Sequence, residues 1–492
     1  MKIGSQSLMQ KYDQALLDYG YNIVELVDKA SDCLLKHMHK QSYSFLCGPG
    51  NNGADGLSLA IKLCKQNKEV RVYIFDDGYK LSQANQYYLN QCYENHMKVT
   101  LLSDDNMYDA IEEMKQTQII VDAMFGFGLN SSPRGLYASI IEQINQLYDN
   151  EIIAVDIPTG LDCNSGKPYQ SVVFASKTIS LTAYKDGFLN PDSSFFTGKV
   201  IVETLDAKDM SDKVGLYEYA DEDMVKNIIK ERKYDGHKGD YGRVALITGC
   251  SDYKGASLLS AKSCVYSGNG VVTVITDEKV IDSLTSFCPE ATTQKRPLIF
   301  RKEDFIKYQA ILIGCGLGQS IDSYRYVSDV LTLTYQPLVI DADALTILSS
   351  NMEWLKGQNR SIILTPHMGE FKRLCDFDEK TDMLSTASNF ARHYHVILVL
   401  KGPHTIVTNG YESYRISSGN KAMSVGGMGD VLAGMITSFV GQGYKPLDAA
   451  ILGVYLHGKA GDKLAQNNYS VIPSKLIETI PSTIYELLHA KG

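Results

Sequence analysis

Aspartate and glycine residues near the end of this sequence have a spacing that suits phosphoryl transfer. In SVGGMGDVLAG, residues 424–434, three glycines precede Asp430, at positions 426, 427 and 429. Backbone N–H groups of a glycine run at a helix start can bind an anion, and the helix dipole strengthens the binding. Asp430 can take a proton from an attacking hydroxyl there. A turn with Asp430 as N-cap is the alternative, but it does not require three glycines in four positions. The pattern therefore predicts an anion-binding helix starting at about Asp430.

A second glycine-rich stretch, CGPGNNGADGLS at residues 47–58, has the spacing of a dinucleotide-binding turn. The predicted strand YSFL precedes it, the predicted helix LSLAIKLCKQ follows it, and the glycines in G-x-G-x-x-G spacing are Gly48, Gly50 and Gly53. The acidic pair Asp76-Asp77 ends the next predicted strand, where a ribose-binding carboxylate is expected. Pro49, however, removes one backbone N–H from the turn, and neighbouring asparagines offer side-chain oxygens instead. These details argue against a nicotinamide dehydrogenase.

Other oxygen-bearing side chains follow predicted strands in the same half of the chain. They are Asn51, Asn52 and Asp55 after the first strand, Asp122 after QIIV, and Asp156 and Thr159 after IIAV. Ligands of an open parallel sheet bind beyond the carboxyl ends of its strands, so we expect these side chains to meet in one crevice. Asn52, Asp122 and Thr159 form an oxygen-rich set that suits a hard cation. Asp156 is then the free carboxylate that can move protons at a hydroxyl-bearing carbon. Each residue alone could be a helix cap or turn former.

The scaffold that positions these residues is predicted to be α/β in two tandem domains. The strands of residues 1–214 are SYSFLC, VRVYIF, QIIVDAMFG, EIIAVDIP, KTISLTAY and KVIVETL, and the helical patterns between them predict a doubly wound parallel sheet. Residues 206–240 are charge-rich and carry no strand pattern, which places a boundary near residue 215. In residues 215–492 the strands are GRVALITG, GVVTVIT, QAILIGCG, QPLVIDAD, SIILTPH and HVILVLKG. Two closing helices follow, DVLAGMITSFVGQG and PLDAAILGVYLHGKAGDKLAQ.

Composition excludes several classes of protein. A chain of 492 residues is too long for one core, and a net charge of −9 without a Lys/Arg stripe argues against a nucleic-acid partner. The ten cysteines include no C-x-x-C pair, so we expect neither disulfides nor zinc; those at 47, 64, 250, 264 and 315 are expected to be buried thiols. MKIGSQSLMQKYD lacks the apolar core of a signal peptide, and no run of 18 apolar residues occurs. We therefore expect a cytoplasmic protein without membrane association.

Three stretches of the first domain resemble the signatures of NAD(P)H-hydrate epimerases, namely GPGNNGADG, VDAMFGFGL and AVDIPTGLDCNSG. The resemblance implies a Rossmann-like sheet, a hydrated nicotinamide nucleotide (NADHX or NADPHX) as substrate, and K⁺ bound by Asn52, Asp122 and Thr159. Thr159 stands where that family usually has serine. The implied substrate contacts are Asn51, Asn52, Gly53, Ala54, Asp55, Gly126, Phe127, Gly128, Leu129, Asn130, Ser131, Ser132 and Asp156.

The second domain resembles the ribokinase-like kinases in GGMGD. Further stretches narrow the resemblance to ADP-dependent NAD(P)H-hydrate dehydratases: HKGDYGRVALITG, KGASLLSAKSCVYSGNGVVTV, GCGLG, VIDADAL, LTPHMGEF and LKGPHTIV. The combined resemblance covers nearly all of residues 9–480 and implies a ribokinase-like α/β sandwich with Asp430 as the catalytic base. The implied substrate contacts are Ala256, Gly316, Gly318, His367 and Asp430, and the implied nucleotide contacts are Lys401, Gly402, Pro403, His404, Thr405 and Gly429. Cys315 and Met368 stand where prolines are usual.

Together these resemblances predict a bifunctional repair enzyme. A hydrated NADH or NADPH carries a hydroxyl on a carbon next to the ring nitrogen, so it exists as R and S epimers. The first domain would interconvert them through Asp156, and the second would phosphorylate the S epimer from ADP, with Mg²⁺ bridging phosphate oxygens, before phosphate leaves. We also expect a homo-oligomer. Three alternatives stay open: a kinase of a vitamin or sugar alcohol, a first domain that only senses nucleotide, and a dehydrogenase.

Overall fold

The computed structural model describes residues 1–75, 78, 80–377, 383–416 and 418–489. The chain divides into two compact units, Met1–Tyr217 and Glu218–Gly492. The Asp76-Asp77 pair lies outside the described residues. None of the helices in the described part of the chain has the length and apolar character that a bilayer crossing demands.

The first unit alternates strands and helices along the chain. Its elements are β1 (Lys2–Gly4), α1 (Gln6–Tyr19), α2 (Ile23–Leu35), β2 (Ser42–Cys47), α3 (Asn51–Lys65), β3 (Glu69–Phe75), α4 (Gln83–Glu94), β4 (Lys98–Leu102), α5 (Met107–Lys115), β5 (Ile119–Ala123), α6 (Leu136–Ile144), β6 (Glu151–Val155), β7 (Lys177–Leu181), β8 (Tyr184–Lys185), α7 (Ser194–Thr197), β9 (Lys199–Glu203) and α8 (Ser211–Val214). Every residue of β2 is buried, as expected for a strand covered on both faces.

Seven parallel strands form the main sheet of this unit in the order β4-β3-β2-β5-β6-β7-β9, and β1 pairs separately with β8. The apolar cores on the two faces involve α2, α3 and α4 on one side and α5 and α6 on the other. Strand order reverses between β2 and β5, and Asp122 is paired with Leu46 on one side and Ala154 on the other. Such a reversal opens a crevice beyond the carboxyl ends of the strands, where ligands bind.

The second unit contains a larger mixed sheet. Its elements are β10 (Tyr217–Ala220), α9 (Glu222–Ile228), β11 (Arg243–Ile247), α10 (Lys254–Tyr266), β12 (Val271–Thr276), α11 (Glu278–Phe287), β13 (Thr292–Lys295), β14 (Ala310–Ile313), α12 (Ile321–Leu333), β15 (Leu338–Ile340), α13 (Ala342–Ser349), β16 (Ile362–Leu364), α14 (Met368–Leu374), α15 (Met383–Tyr394), β17 (Ile397–Leu400), β18 (Ile406–Thr408), β19 (Ser413–Ile416), α16 (Met428–Gly441), α17 (Pro446–Ala465) and α18 (Pro473–His489).

The strands of this unit follow the order β13-β12-β11-β14-β15-β16-β17-β18-β19-β10. The strands from β13 to β17 are parallel, whereas β18 runs antiparallel to both β17 and β19. Strand order reverses between β11 and β14, and α16 packs against α10, α17 and β14 beside that reversal. The predicted α/β architecture in two tandem units, with a doubly wound parallel sheet in the first, is confirmed.

The structure corrects several expectations about individual elements. Residues 206–240 do contain a strand, β10, which pairs with β19. A third closing helix, α18, follows the two predicted ones. It continues through Pro481, a residue that usually interrupts a helix. Helix α16 begins at Met428, two residues before the predicted start. Cys64 and Cys250 are only partly buried, while all ten cysteines are free thiols.

Candidate active sites

Asp122 and Thr159 form one hydrogen-bonded cluster at the carboxyl ends of β5 and β6. The Thr159 hydroxyl donates to Asp122 Oδ1 at 2.7 Å, and the Thr159 N–H donates to Oδ2 at 2.8 Å. Burial raises the pKa of Asp122 to about 6, although these hydrogen bonds oppose the shift. No ion pair to this carboxylate occurs within the described ranges. A bound cation would supply the positive charge that a buried carboxylate lacks.

Asn52, in the first turn of α3, is the third residue of the predicted cation set. A Cβ placed on Gly126 would lie 3.1 Å from Asn52 Oδ1, so this amide faces the loop after β5. Its Nδ2 atom is buried and finds no hydrogen-bond partner in the part of the chain that the structure describes. Amide, carboxylate and hydroxyl oxygens are ligands that hard cations prefer, and the three residues therefore fit a potassium ion chemically.

Asp156 directly follows β6 and has an uncommon backbone conformation. Its φ of +67° lies in the left-handed region, which aspartate tolerates better than most residues. Asp156 Oδ1 lies 2.6 Å from Lys185 Nζ and accepts a hydrogen bond from the Leu181 N–H at 3.1 Å. Lys185 is fully buried and also donates to Ser180 Oγ and to the carbonyls of Leu181 and Ala183. These contacts hold the Asp156 side chain in one position.

A cavity of about 610 Å³ brings most of the predicted first-unit residues together. The predicted residues that line it are Asn51, Asn52, Asp55, Gly126, Phe127, Gly128, Leu129, Asn130, Ser131 and Asp156. Gly53 and Ala54 do not line it, and a Cβ on Gly53 would lie 1.9 Å from the Gly48 carbonyl oxygen. These two residues permit close packing beneath the turn. Ser132 lines an adjoining cavity with Arg134.

The second candidate site lies at the N-terminus of α16. Gly427 is the N-cap with φ +95°, and a Cβ there would come within 2.6 Å of the Leu259 side chain, so only glycine fits without strain. The first N–H groups of a helix lack intrahelical partners and can receive a phosphate. A Cβ on Gly429 would lie 3.2 Å from Lys401 Nζ, which places a cation against this turn.

Asp430 lies on the same turn beside Asp341 and Cys315. One oxygen of each carboxylate and the Cys315 Sγ atom all lie within 4.8 Å of one another. Burial, followed by the negative charge of Asp341, raises the pKa of Asp430 to about 7. A carboxylate with that pKa is well matched to a base acting near neutral pH. Asp341 belongs to VIDADAL, one of the stretches that carry the resemblance, but the resemblance assigned no role to it.

Lys401, at the end of β17, links the phosphate-binding turn to two carboxylates. Its Nζ lies 2.9 Å from Asp341 Oδ1 and 3.9 Å from Glu370 Oε2. Burial acts to lower the pKa of Lys401, but these carboxylates outweigh it and raise that pKa. The site therefore contains a permanent cation next to the helix N-terminus.

The other predicted second-unit residues lie in loops or first helical turns that follow strands of the sheet. Gly316 approaches Ala256 so closely that a Cβ on Gly316 would lie 2.8 Å from the alanine Cβ. The Gly318 N–H donates to Asp343 Oδ2 at 2.8 Å. His367 is the N-cap of α14, and its Nδ1 accepts hydrogen bonds from the N–H groups of the next turn.

The predicted nucleotide-binding residues after Lys401 form the turn between β17 and β18. In this turn the Thr405 hydroxyl donates to the Gly402 carbonyl at 3.2 Å, and Gly402 and Pro403 are exposed. Burial lowers the pKa of His404 below its usual value, which favours the neutral imidazole. The turn is thus a partly exposed rim beside Lys401, whose side chain is 19% exposed.

Comparisons with known proteins cover both units. The family model described as YjeF-related protein N-terminus matches residues 5–187, and the model described as NAD(P)H-hydrate dehydratase matches residues 244–482. The bifunctional NAD(P)H-hydrate repair enzyme of Escherichia coli (strain K12) is 31% identical over 461 residues, which are 91% of this chain and 86% of the relative. The same-named enzyme of Moorella thermoacetica is 30% identical over 465 residues, 90% of this chain and 87% of the relative.

Solved structures match the second unit. A ribokinase-like superfamily protein from Enterococcus faecalis is 31% identical with a TM-score of 0.51, covering 55% of this chain and 96% of that chain. An ADP/ATP-dependent NAD(P)H-hydrate dehydratase from Bacillus subtilis, co-crystallised with ATP and Mg²⁺, is 29% identical with a TM-score of 0.50, covering 55% and 99%. The second unit therefore has the ribokinase-like fold. The extent of the full-length matches shows that this chain belongs to the family of bifunctional NAD(P)H-hydrate repair enzymes.

Proposed function

We propose that this enzyme repairs hydrated NADH and NADPH in two steps assigned to its two units. The first unit interconverts the R and S epimers, and the second dehydrates the S epimer with ADP, which releases AMP and phosphate. The observation that carries the assignment is the position of Asp430, beside Lys401 and partly exposed on the first turn of α16. That arrangement combines a proton acceptor, a cation and an anion-binding helix end in one place.

In the second unit, Asp430 takes the proton of the substrate hydroxyl while the hydroxyl oxygen attacks the β-phosphorus of ADP. The bond between the β-phosphorus and the oxygen that bridges it to the α-phosphate breaks, and AMP leaves with that oxygen. The phosphorylated carbon then loses phosphate with help from the lone pair of the ring nitrogen, and loss of a proton from the adjacent carbon restores the dihydronicotinamide. Lys401 and the N–H groups at Gly427 and Gly429 stabilise the developing charge. Mg²⁺ would neutralise charge on the phosphate oxygens of ADP.

In the first unit, Asp156 moves the proton that the change of epimer requires. Its ion pair with Lys185 fixes its position. We assign a potassium ion to Asn52, Asp122 and Thr159, where it would neutralise the buried carboxylate and anchor the loop after β5. The predicted substrate and nucleotide contacts, a cytoplasmic location and a homo-oligomeric state belong to this proposal.

A mixed-epimer NADH hydrate, incubated with and without ADP and separated by chromatography, tests both assignments at once. Asp430→Asn should abolish ADP-dependent recovery of NADH and spare epimerisation. Asp156→Ala should suppress epimerisation and leave dehydration of the S epimer intact. We expect each loss to be about 10²- to 10⁴-fold, the usual contribution of an acid–base group.

Each variant is the control for the other, because each keeps the other unit unchanged. Equal loss of both activities in either variant would contradict the division of labour. Accumulation of a stable phosphorylated product would instead indicate a kinase. Full activity with ATP and none with ADP would change the assigned phosphate donor.

A further inference from the structure

A carboxyl group that belongs to none of the sequence motifs faces the first-unit cavity. Asp13, on α1, lines this cavity together with Asp55 and Asp156, and it is partly buried. Asp156 reaches the cavity from the end of β6, whereas Asp13 comes from a separate helix. Two carboxyl groups on separate elements can approach a bound ring from two sides.

The charges around this cavity do not balance if every carboxyl group is ionised. Three carboxyl groups line it, no lysine or arginine is among its lining residues in the described part of the chain, and Lys185 forms an ion pair with Asp156 at 2.6 Å. Burial, with a further contribution from the charge of Asp156, raises the pKa of Asp13 to about 7. Burial raises the pKa of Asp55 well above its usual range. Near neutral pH the cavity therefore contains both a protonated carboxyl and a carboxylate.

Changing the epimer of a hydrate requires both of these forms. The hydroxyl must leave one face of the ring, which needs a proton donor, and an oxygen must be added to the other face, which needs a proton acceptor. We propose that Asp13 is a second acid–base residue of epimerisation and works as a pair with Asp156. This inference rests on the epimerisation proposed above.

The Asp13 carboxyl gives its proton to the hydroxyl, the C–O bond breaks, water leaves, and the ring nitrogen's lone pair forms a C=N bond. A water then adds to the other face, the electron pair returns to nitrogen, and the surplus proton passes to Asp156. The reverse reaction exchanges the two roles, so the pair must carry one proton in either direction.

Asp55 is less suited to this role than Asp13. It lies in the second turn of α3, the helix that already carries the implied contacts Asn51 and Asn52. Asp13 lines the cavity from α1, a helix that carries none of the implied substrate contacts. The position of Asp13 therefore adds a donor that the motif residues do not provide.

The test compares Asp13→Asn and Asp13→Glu with Asp18→Asn, using rates corrected for epimerisation without enzyme. Asp18 lies on the same helix, is exposed, and accepts a hydrogen bond from the Gln14 side chain. We expect Asp13→Asn to lower kcat for epimerisation by about 10²- to 10³-fold with little change in KM. Asp13→Glu should recover part of the rate, and Asp18→Asn should match the wild type. ADP-dependent dehydration should be unchanged in all three.

The pH profile separates a proton-transfer role from a structural one. Wild-type epimerisation should fall as pH rises through about 7, because the pair then loses its shared proton. A wild-type rate in Asp13→Asn, or equal losses in Asp18→Asn, would overturn the role of Asp13 and leave the proposed function intact. Wild-type protein without epimerisation above the uncatalysed rate would overturn both. If Asp13→Asn unfolds the first unit, a wild-type profile that stays flat from about pH 6 to 8 overturns the inference.

Discussion

The pH dependence of dehydration should follow the ionisation of Asp430, and Asp341 should control its midpoint. Asp430 must be ionised to accept a proton, and its pKa is raised to about 7 by burial and by Asp341. Activity should therefore rise with pH through about 7. Asp341→Asn removes the like charge, keeps the size of the side chain, and leaves an acceptor for the Thr365 hydroxyl, which donates to Asp341 Oδ1 at 2.7 Å. In this variant the midpoint of the pH profile of dehydration should move to lower pH.

The magnitude follows from the separation of the two carboxylates. At the 4.8 Å limit, two unit charges repel by about 3.5 kcal/mol at an effective dielectric constant of about 20. This repulsion corresponds to a pKa shift of about 2.5. Solvent screening at the partly exposed Asp430 reduces this, so we expect the variant to lower that pKa by about 1 to 2. At pH 6, wild-type dehydration should run at about one-tenth of its plateau, and the variant at about half of its own plateau or more.

The assay is the near-ultraviolet absorbance of restored NADH, followed with S hydrate and saturating ADP across neutral pH. Each profile is normalised to its own plateau, because Asp341→Asn also removes the partner of Lys401 and can reduce the maximal rate. ADP and the hydrate titrate identically in every variant, so differences between profiles come from the protein. The control is Asp322→Asn, which changes a half-exposed acid beside Arg325 and should keep the wild-type midpoint. Superimposable profiles for Asp341→Asn and wild type would refute Asp430 as the titrating base.

Three more predictions concern groups in both units. Lys185→Met should lower the free energy of unfolding of the first unit by about 3–5 kcal/mol, measured by denaturant unfolding, because it leaves Asp156 buried without its cation. A loss below about 1 kcal/mol would show that this ion pair contributes little to stability. Epimerisation should depend on K⁺ and lose that dependence in Asp122→Asn, measured by replacing K⁺ with Na⁺. Gly427→Ala should lower dehydration at least about tenfold, because a non-glycine residue is strained there, whereas Gly426→Ala, with open space around its added Cβ, should be nearly neutral.

The positions of the main acidic residues could be predicted because of a simple property of parallel sheets. Asp122 and Asp156 each follow an apolar run directly, and neighbouring parallel strands bring their carboxyl ends to one edge. Asp430 could be predicted for a related reason, since a glycine run before an apolar helix identifies the helix start. In each case one local pattern contains both the strand or helix and the chemical group.

Residues that act through distant partners could not be found in this way. Lys185 becomes the partner of Asp156 only because the chain turns back after β7, through Thr182, whose φ is +71°. Asp341 meets Lys401 across 60 positions of sequence. Asp13 lies on a helix without any motif, and only the packing of α1 brings it to the cavity. The missed strand β10 is short and depends on pairing with β19, which no local signal reveals.

The burial of α16 has a consequence for changing this enzyme's phosphate donor by laboratory evolution. Every residue from Val431 to Gly441 is buried, and a helix enclosed in a close-packed interior cannot shift without disturbing many neighbours. Accommodation of a longer phosphate chain is therefore expected from the loops around the helix start, such as the exposed turn at Gly402 and Pro403. Selection for a triphosphate donor is expected to enrich substitutions in that turn and to leave the helix unaltered.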